Sequence, residues 1–267
     1  MIRFFRDLKT FFIAEIKRYY LFKERILWDS LFPIIGLFSF ILIWRAVINT
    51  GFQGLGDLRP DNYVMFILMG NLLWQIISSS LGGLAHVMVD ERYSRTLTYV
   101  FLSPANKISY LYAKSARSLM RFIITNLIML FFASLFFDIS IKGNIISIIL
   151  IFALSYISFS AFGLIFSALG GWRDGFADLA WVISSVLYLL SGVQYPIEVF
   201  PESIRRIVLL LPTTQALNAV RAVSLHAADI YEILPQIVYL IILGIVSFIL
   251  LHVTFKWLEK KISLVGV

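Results

Sequence analysis

The sequence has no cysteine and few charged side chains, and these two absences already limit its class. Without cysteine the chain cannot form disulfides or thiolate metal sites. Charged residues make up 15% of the 267 positions and hydrophobic residues 60%, with a mean hydropathy of +0.86. Globular domains are about a quarter charged, and a soluble fold of this length could not bury so much Leu, Ile and Phe. The composition predicts an integral membrane protein.

Motifs for catalysis and nucleotide binding are also missing. The sequence contains no G-x-x-x-x-G-K-[ST] phosphate loop, so we do not expect this chain to bind ATP in the P-loop manner. The three histidines, His86, His226 and His252, show neither metal-ligand spacing nor paired carboxylates, and we interpret them as structural or interfacial. We therefore predict no catalytic, cofactor-binding or metal site, and expect that the chain is not an enzyme by itself.

Long apolar runs are the most prominent feature of the sequence. A membrane-spanning helix needs about 20 residues, and helices are the only sensible form for such runs because the bilayer offers the backbone no water. Five of the six runs reach this length. The remaining one, which is fifth in chain order, is the shortest. We predict an all-α integral membrane protein with a transmembrane domain at 27–267, whose six spans lie at about 27–48, 63–89, 119–137, 145–169, 177–193 and 234–255.

Residues 1–26 are predicted to form an amphipathic helix at the cytoplasmic interface of the membrane. Its apolar residues recur at three- and four-residue spacing, with basic residues mostly on the other side. Such a helix lies in the headgroup plane and turns its cations toward anionic lipid. A solvated helix packed on protein is the alternative. The apolar stripe consists of Phe5, Leu8, Phe12, Ile16 and Tyr19.

The distribution of basic residues predicts the orientation of the chain. Of the 23 Lys and Arg residues, 17 fall on one side of the predicted membrane and 6 on the other. By the positive-inside rule, both termini are expected in the cytoplasm of a multi-pass protein of the cytoplasmic (inner) membrane. The same rule accounts for the net charge of +7, so we predict no nucleic-acid partner.

The segment 194–233, on the predicted outer side, combines prolines with apolar runs too short to cross a membrane. Pro201 followed by Glu202 suits the first turn of a helix. Short apolar helices broken by proline indicate re-entrant or interface-lying pieces, which need protein or a water-filled cavity to cover their backbone. An ordinary surface loop with short helices is the alternative.

Polar residues within the spans form stripes. Small residues on span four (Ser155, Gly163, Ser167 and Gly171) are typical of close helix packing. The stripes on spans two and five carry amides, hydroxyls and aromatic rings, and they are expected to face a partner helix or a wet cavity. No span has a charge near its centre, which argues against an ion-coupled carrier. We interpret both stripes as a path for an amphiphilic or glycan-like substrate. The candidate path residues are Asn71, Gln75, Ser78, Ser79, Trp181, Ser184, Ser185, Tyr188 and Tyr195.

Two stretches resemble a known family. DERYSRTLTYVFLSPANKISYLYAK, in the basic loop 90–117, is similar to an E-R-x-x-G-T-L-E … L-x-x-P … G-K pattern. SGVQYP through FP to LPTTQAL and Arg221 is similar to S-G-x-x-x-P … P … L-P-x-T-x-A-L … R. These patterns are typical of the permease subunit of ABC-2 type ATP-binding cassette transporters. The chain departs from them at Arg95, where glycine is usual, and at Thr98 and Ala113.

The resemblance implies a half-transporter. A second permease chain, identical or different, would pair with it, and two separate ATPase subunits would bind ATP and Mg. The loop 90–117 would couple to the ATPase and 194–233 would form the external gate. The implied coupling residues are Glu91, Arg92, Arg95, Thr96, Leu97, Leu102, Pro104 and Lys114, and the implied gate residues are Pro196, Pro201, Pro212 and Arg221.

The motifs leave the branch and substrate of the family open. The Glu91 motif resembles that of drug and lipid exporters, whereas Trp172-Arg173-Asp174 is similar to an element of polysaccharide and O-antigen exporters. The expected cargo is therefore a drug, a lipid or a lipid-linked glycan. An ion-coupled secondary carrier or channel, and a membrane scaffold without transport, are the rival classes.

Overall fold

The computed structural model describes residues 2–20, 23–51, 56–96, 99, 102–103, 106–173 and 175–265. These residues are mostly α-helical, which confirms the predicted all-α fold class. The helices in chain order are α1 (Ile2–Tyr20), α2 (Lys23–Asn49), α3 (Tyr63–Ala85), α4 (Val87–Tyr93), α5 (Lys107–Phe136), α6 (Ile145–Trp172), α7 (Gly175–Leu190), a 3₁₀ helix (Ile197–Val199), α8 (Glu202–Val208), α9 (Pro212–His226) and α10 (Leu234–Val265).

Helix length decides which elements can cross a membrane. Five helical stretches in the described part of the chain are long and apolar enough: those within α2, α5, α6 and α10, and α3 together with α4. The predicted fifth span forms α7, whose 16 residues measure about 24 Å at 1.5 Å per residue. That is shorter than a hydrocarbon core of about 30 Å. Helices α8 and α9 meet at 85°, as a broken span or a re-entrant loop would. Six crossings therefore remain a prediction.

Local sequence explains where several helices begin. The side chain of Asn106 accepts a hydrogen bond from the Ser109 backbone N at 3.0 Å, and Asn144 accepts one from Ile146 N at 2.9 Å. Both are N-caps, which satisfy one of the unpaired backbone N–H groups of a first turn. Pro212 occupies the first turn of α9, where its missing N–H costs nothing. Because α5 begins at Lys107, the last third of the predicted loop 90–117 is helical.

Helix α3 lies at the centre of the fold with α6 packed against it, and α6 also packs against α10. The α3–α6 contact depends on small residues. A Cβ on Gly163 would lie 2.0 Å from the Ser80 carbonyl oxygen, so only glycine allows this approach. Ser167 Oγ accepts a hydrogen bond from the backbone N of Met88 at 2.9 Å. The prediction that the small residues of span four form a packing surface is confirmed.

Helix α1 packs on α5 along a face that includes Tyr19 of the predicted stripe, whereas Leu8, Phe12 and Ile16 of that stripe are half-buried. Tyr19 is buried at one end, and the rings of Phe11 and Tyr110 meet edge to face with centroids 5.3 Å apart. Glu15 lies on the same face and is 7% exposed. This face therefore packs on protein, the alternative considered for this helix, while its other face carries exposed cations. On α2, by contrast, large apolar side chains are exposed, and Trp28 and Phe32 are among the most exposed of them.

Candidate functional site

Glu91, the first predicted coupling residue, points into the chain rather than out of it. Its carboxylate lies 2.8 Å from Lys114 Nζ and accepts a hydrogen bond from the Tyr110 hydroxyl at 2.7 Å. A second hydrogen bond comes from the hydroxyl of Thr96. Only 12% of the Glu91 side chain is exposed. The motif's glutamate therefore organises the loop internally by joining α4 to the start of α5.

Lys114 extends this arrangement to the N-terminal helix. Its ammonium group also lies 2.8 Å from Glu15 Oε1, and Glu15 Oε2 accepts a hydrogen bond from Arg117 at 2.7 Å. The backbone N of Asn106 donates to Asp7 at 3.2 Å, a further link between α1 and the start of α5. We call Glu15, Glu91, Lys114 and Arg117 the ion network. It fastens α1, α4 and α5 together.

Sequence reasoning identified Glu91 and Lys114 but missed their partners Glu15 and Tyr110, and it missed Arg117 as the second partner of Glu15. A signal for Glu15 was available. It lies four residues after Phe11 and four before Tyr19, so it falls on the apolar face of an amphipathic helix. A carboxylate in that position requires a buried cation.

The structure explains why glycine is usual at the position of Arg95. Arg95 has a φ of +56°, the left-handed region that favours glycine. Its backbone N donates to Arg92 O at 3.0 Å, and the N of Thr96 donates to Glu91 O at 2.9 Å. These two bonds form a Schellman motif, which ends α4 with Arg95 in the usual glycine position. The chain therefore differs from the family pattern in the residue type at Arg95 but keeps the same turn.

Other predicted coupling residues lie on the surface. Arg92 Nη1 donates to Gly171 O at 3.4 Å, which ties α4 to the end of α6. Leu102 is 75% exposed, as is Tyr99, and the Tyr93 ring is 72% exposed. Leu97 and Pro104 lie outside the described residues. Tyr93 ends α4, and Tyr99 and Leu102 follow it within nine residues. Large exposed side chains this close in sequence are typical of a protein-binding surface. We call Tyr93, Tyr99 and Leu102 the loop surface.

The predicted path residues on α3 and α7 differ in how deeply they are buried. Helices α3 and α7 pack together, with the rings of Trp74 and Tyr188 5.0 Å apart and the Trp181 ring against Gly82. Asn71 and Ser184 are buried, and the Asn71 amide donates to the Ile67 carbonyl oxygen.

The remaining predicted path residues are more accessible. Trp181 and Ser185 are exposed, and the Ser185 hydroxyl donates back to Trp181 O. Ser79 lines a cavity between α1, α3 and α5. The half-buried members of the set are Gln75, Ser78, Ser79, Tyr188 and Tyr195.

Three of the predicted gate residues are prolines that begin short helices. Pro196 precedes the 3₁₀ helix, Pro201 precedes α8, and Pro212 starts α9. The fourth, Arg221, is 3% exposed. Its guanidinium donates to Val193 O at 2.8 Å and lies 3.5 Å from the centre of the Phe66 ring.

Arg221 holds the turn of the SGVQYP motif against α3. The turn begins at Ser191, whose hydroxyl bonds that of Thr213, and it passes through Gly192 at a φ of +70°. A Cβ on Gly70 would lie 2.1 Å from Val193 O, so the turn contacts the α3 backbone directly. The motif therefore ends α7 and fixes α9 to the centre of the fold.

The histidines and acidic residues that the structure describes show no arrangement suited to a metal. No group of three or more His, Asp or Glu side chains that could hold an ion occurs among the described residues. His86 Nε2 lies 3.2 Å from Asp178, and His226 Nε2 lies 3.1 Å from Asp57. Both pairs join separate segments of the chain.

The sequence matches the model of one family. The family model described as ABC-2 family transporter protein matches residues 46–252, most of the chain. The chain belongs to this family. It is the membrane subunit of an ABC transporter and a multi-pass membrane protein. A search of curated proteins found no match.

Proposed function

We propose that this ABC-2 permease exports an amphiphilic substrate, a drug, a lipid or a lipid-linked glycan, across the cytoplasmic membrane. A separate ATPase chain, which would bind ATP and Mg, energises it. Two permease chains, identical or different, pair and recruit two ATPase subunits, and both termini of the permease are cytoplasmic. A polysaccharide or O-antigen type cargo is the second candidate, favoured by Trp172 and Arg173 at the end of α6.

The ion network is the observation that carries this proposal. Because Lys114 contacts Glu15 and Glu91 at 2.8 Å each, a force applied at α4 reaches α1 and α5 together. The loop surface lies beside this network and offers exposed aromatic and aliphatic contacts. The ATPase subunit would press on the loop surface, and the ion network would pass the displacement to α5.

The packing of α3 and α7 supports the proposed path. Exposed and half-buried residues of both helices, including Gln75, Ser78, Ser185 and Tyr188, are available to a second permease chain. Uncharged amides, hydroxyls and rings suit an amphiphile better than an inorganic ion. The turn held by Arg221 closes the outer end, and its release would open the path.

Copurification with a P-loop ATPase and measurement of ATP turnover test the proposal. Charge reversal by Glu91→Lys separates α4 from Lys114 and should lower ATP turnover in the complex at least tenfold. Arg92→Glu should act in the same direction through the contact with Gly171. The control is Arg206→Glu, an exposed position on α8 of the outer segment. Equal turnover in all of these variants would contradict a coupling role for the loop.

A further inference from the structure

His86 occupies the joint between α3 and α4. It follows Ala85, the last residue of α3, and its carbonyl oxygen accepts a hydrogen bond from the Asp90 backbone N at 2.8 Å, which starts the hydrogen bonds of α4. The two helices together form one of the stretches long and apolar enough to cross a membrane. A movement of α4 relative to α3 is therefore centred on His86.

The side chain of His86 reaches across to α7. Its Nε2 lies 3.2 Å from Oδ1 of Asp178, a residue in the first turn of α7. Because a carboxylate only accepts hydrogen bonds, Nε2 is the donor. The His86 side chain is 30% exposed and that of Asp178 is 76% exposed, and pairs so exposed add little to the free energy of unfolding. The contact aligns two helices without contributing much to the stability of the fold.

Small side chains bring α4, α6 and α7 together next to this pair. A Cβ on Gly170 of α6 would lie 2.9 Å from Val89 Cγ2 on α4 and 3.1 Å from Ala177 Cβ on α7. Val89 and Ala177 also belong to one buried cluster with Ala85 and Ala180. Because closely packed side chains transmit displacement, a movement of α4 toward α7 shifts the start of α7.

Helix α7 connects this junction to the outer turn. It runs over Gly175–Leu190, and the turn of the SGVQYP motif follows it directly. In that turn the Val193 carbonyl oxygen accepts a hydrogen bond from Arg221 and lies against the α3 backbone at Gly70. Rigid secondary elements can carry coupling between distant sites. A shift of the start of α7 therefore acts on the turn at Val193.

We propose that His86 and Asp178 are positioning residues of the transport cycle, whose contact makes α7 follow α4 and so carries the displacement imposed by the ATPase to the outer turn. This inference rests on the proposed function. It adds a second route to the one that the ion network provides. The ion network fastens α4 to α1 and α5, whereas the His86–Asp178 pair fastens it to α7, the helix that ends at the outer turn.

Cysteine labelling of the outer turn tests this route without knowledge of the cargo. The chain contains no cysteine, so Val193→Cys supplies a single thiol, at a position that is 1% exposed. In the full-length permease copurified with its ATPase, the rate at which a maleimide fluorophore labels this thiol should rise several-fold when ATP is added. His86→Phe, added to Val193→Cys, should lower this ATP-dependent rise about threefold, the size of effect that an exposed ion pair can supply.

Further variants separate positioning from folding. His86→Gln should restore the rise, because the glutamine amide can donate a hydrogen bond to Asp178 in place of Nε2. Asp178→Ala should act like His86→Phe, and the two changes together should lower the rise no further. His252→Phe, the same change at an exposed position on α10, is the matched control. ATP turnover, the thermal midpoint and the labelling rate without ATP should stay close to the parent values in all of these variants.

The outcomes distinguish this inference from the proposed function. If ATP leaves the labelling of Val193→Cys unchanged, the proposed function itself is contradicted. If ATP acts on Val193→Cys but the rise is equally large with His86→Phe, or equally reduced by His252→Phe, the role of His86 is overturned and the proposed function stands. A loss that His86→Gln does not restore, or a lowered thermal midpoint with His86→Phe, would likewise overturn that role.

Discussion

Lys114 Nζ lies 2.8 Å from Glu91 Oε1, across 23 positions of sequence, and this contact joins the end of α4 to the start of α5. The same ammonium group lies 2.8 Å from Glu15 Oε1 on α1. About 10% of each of these three side chains is exposed. One nearly buried cation thus holds the three segments that the proposed mechanism requires to move together.

Replacing Lys114 with methionine should destabilise the protein by about 3 kcal/mol, because two nearly buried carboxylates lose their common cation. The thermal midpoint of the purified chain measures this. Lys256→Met, at an exposed position on α10, is the control and should change little. Adding Glu15→Gln and Glu91→Gln to Lys114→Met should recover part of the loss. A fully stable Lys114→Met variant would show that the ion network does not hold these helices together.

Arg95→Gly should stabilise the chain by about 1 kcal/mol, since a left-handed φ of +56° costs a residue with a Cβ but not glycine. Arg95→Val should have the opposite effect. Lys9→Gly, another cation-to-glycine change but inside helix α1, should destabilise by about 1 kcal/mol. Chemical or thermal unfolding distinguishes these outcomes. Equal losses for Arg95→Gly and Lys9→Gly would argue against the Schellman turn after α4.

The loop surface should determine ATPase binding. Tyr99→Ala combined with Leu102→Ala should reduce ATPase copurification at least tenfold and leave the thermal midpoint unchanged, since both side chains are 75% exposed. Tyr231→Ala is the control, because Tyr231 is 83% exposed but lies in the segment predicted to be external. Undiminished copurification of the double variant would place the ATPase contact elsewhere.

Gly163→Ala should cost about 2–3 kcal/mol, because a methyl group 2.0 Å from the Ser80 carbonyl oxygen forces α3 and α6 apart. At Gly36 on α2, a methyl group would meet no atom within 4 Å, and Gly36→Ala should stabilise by up to about 1 kcal/mol. The two variants change the same atoms in two helices, and their unfolding midpoints should move in opposite directions. Movement in the same direction would contradict the packing described for α6.

Hydropathy and spacing predicted the features that depend on local sequence. The all-α fold follows from the apolar runs, and the small residues of span four predicted the α3–α6 contact at Gly163. Span five was predicted to be the shortest, but the residue at which α7 ends was harder to predict, because that end depends on Gly192 adopting a positive φ within an otherwise apolar sequence. The family pattern indicated glycine at the position of Arg95 but not why glycine is usual there. The reason is the geometry of the turn after α4.

Sequence periodicity could not predict the pairs of the ion network, because the partners are distant in sequence. Glu15 and Arg117 are 102 positions apart, and no local pattern pairs them. The polar stripes show a related limit. Three- and four-residue spacing placed Asn71 and Gln75 near one face of α3, but whether that face meets α7 or a cavity depends on how the helices pack.

Transport by reconstituted protein tests the central claim most directly. Proteoliposomes containing the permease, with or without its copurified ATPase, would be assayed for movement of a fluorescent amphiphile in the presence of ATP. We expect accumulation only when both the ATPase and hydrolysable ATP are present, and at least a tenfold lower rate with Glu91→Lys. Transport at full rate by the permease alone would contradict the account.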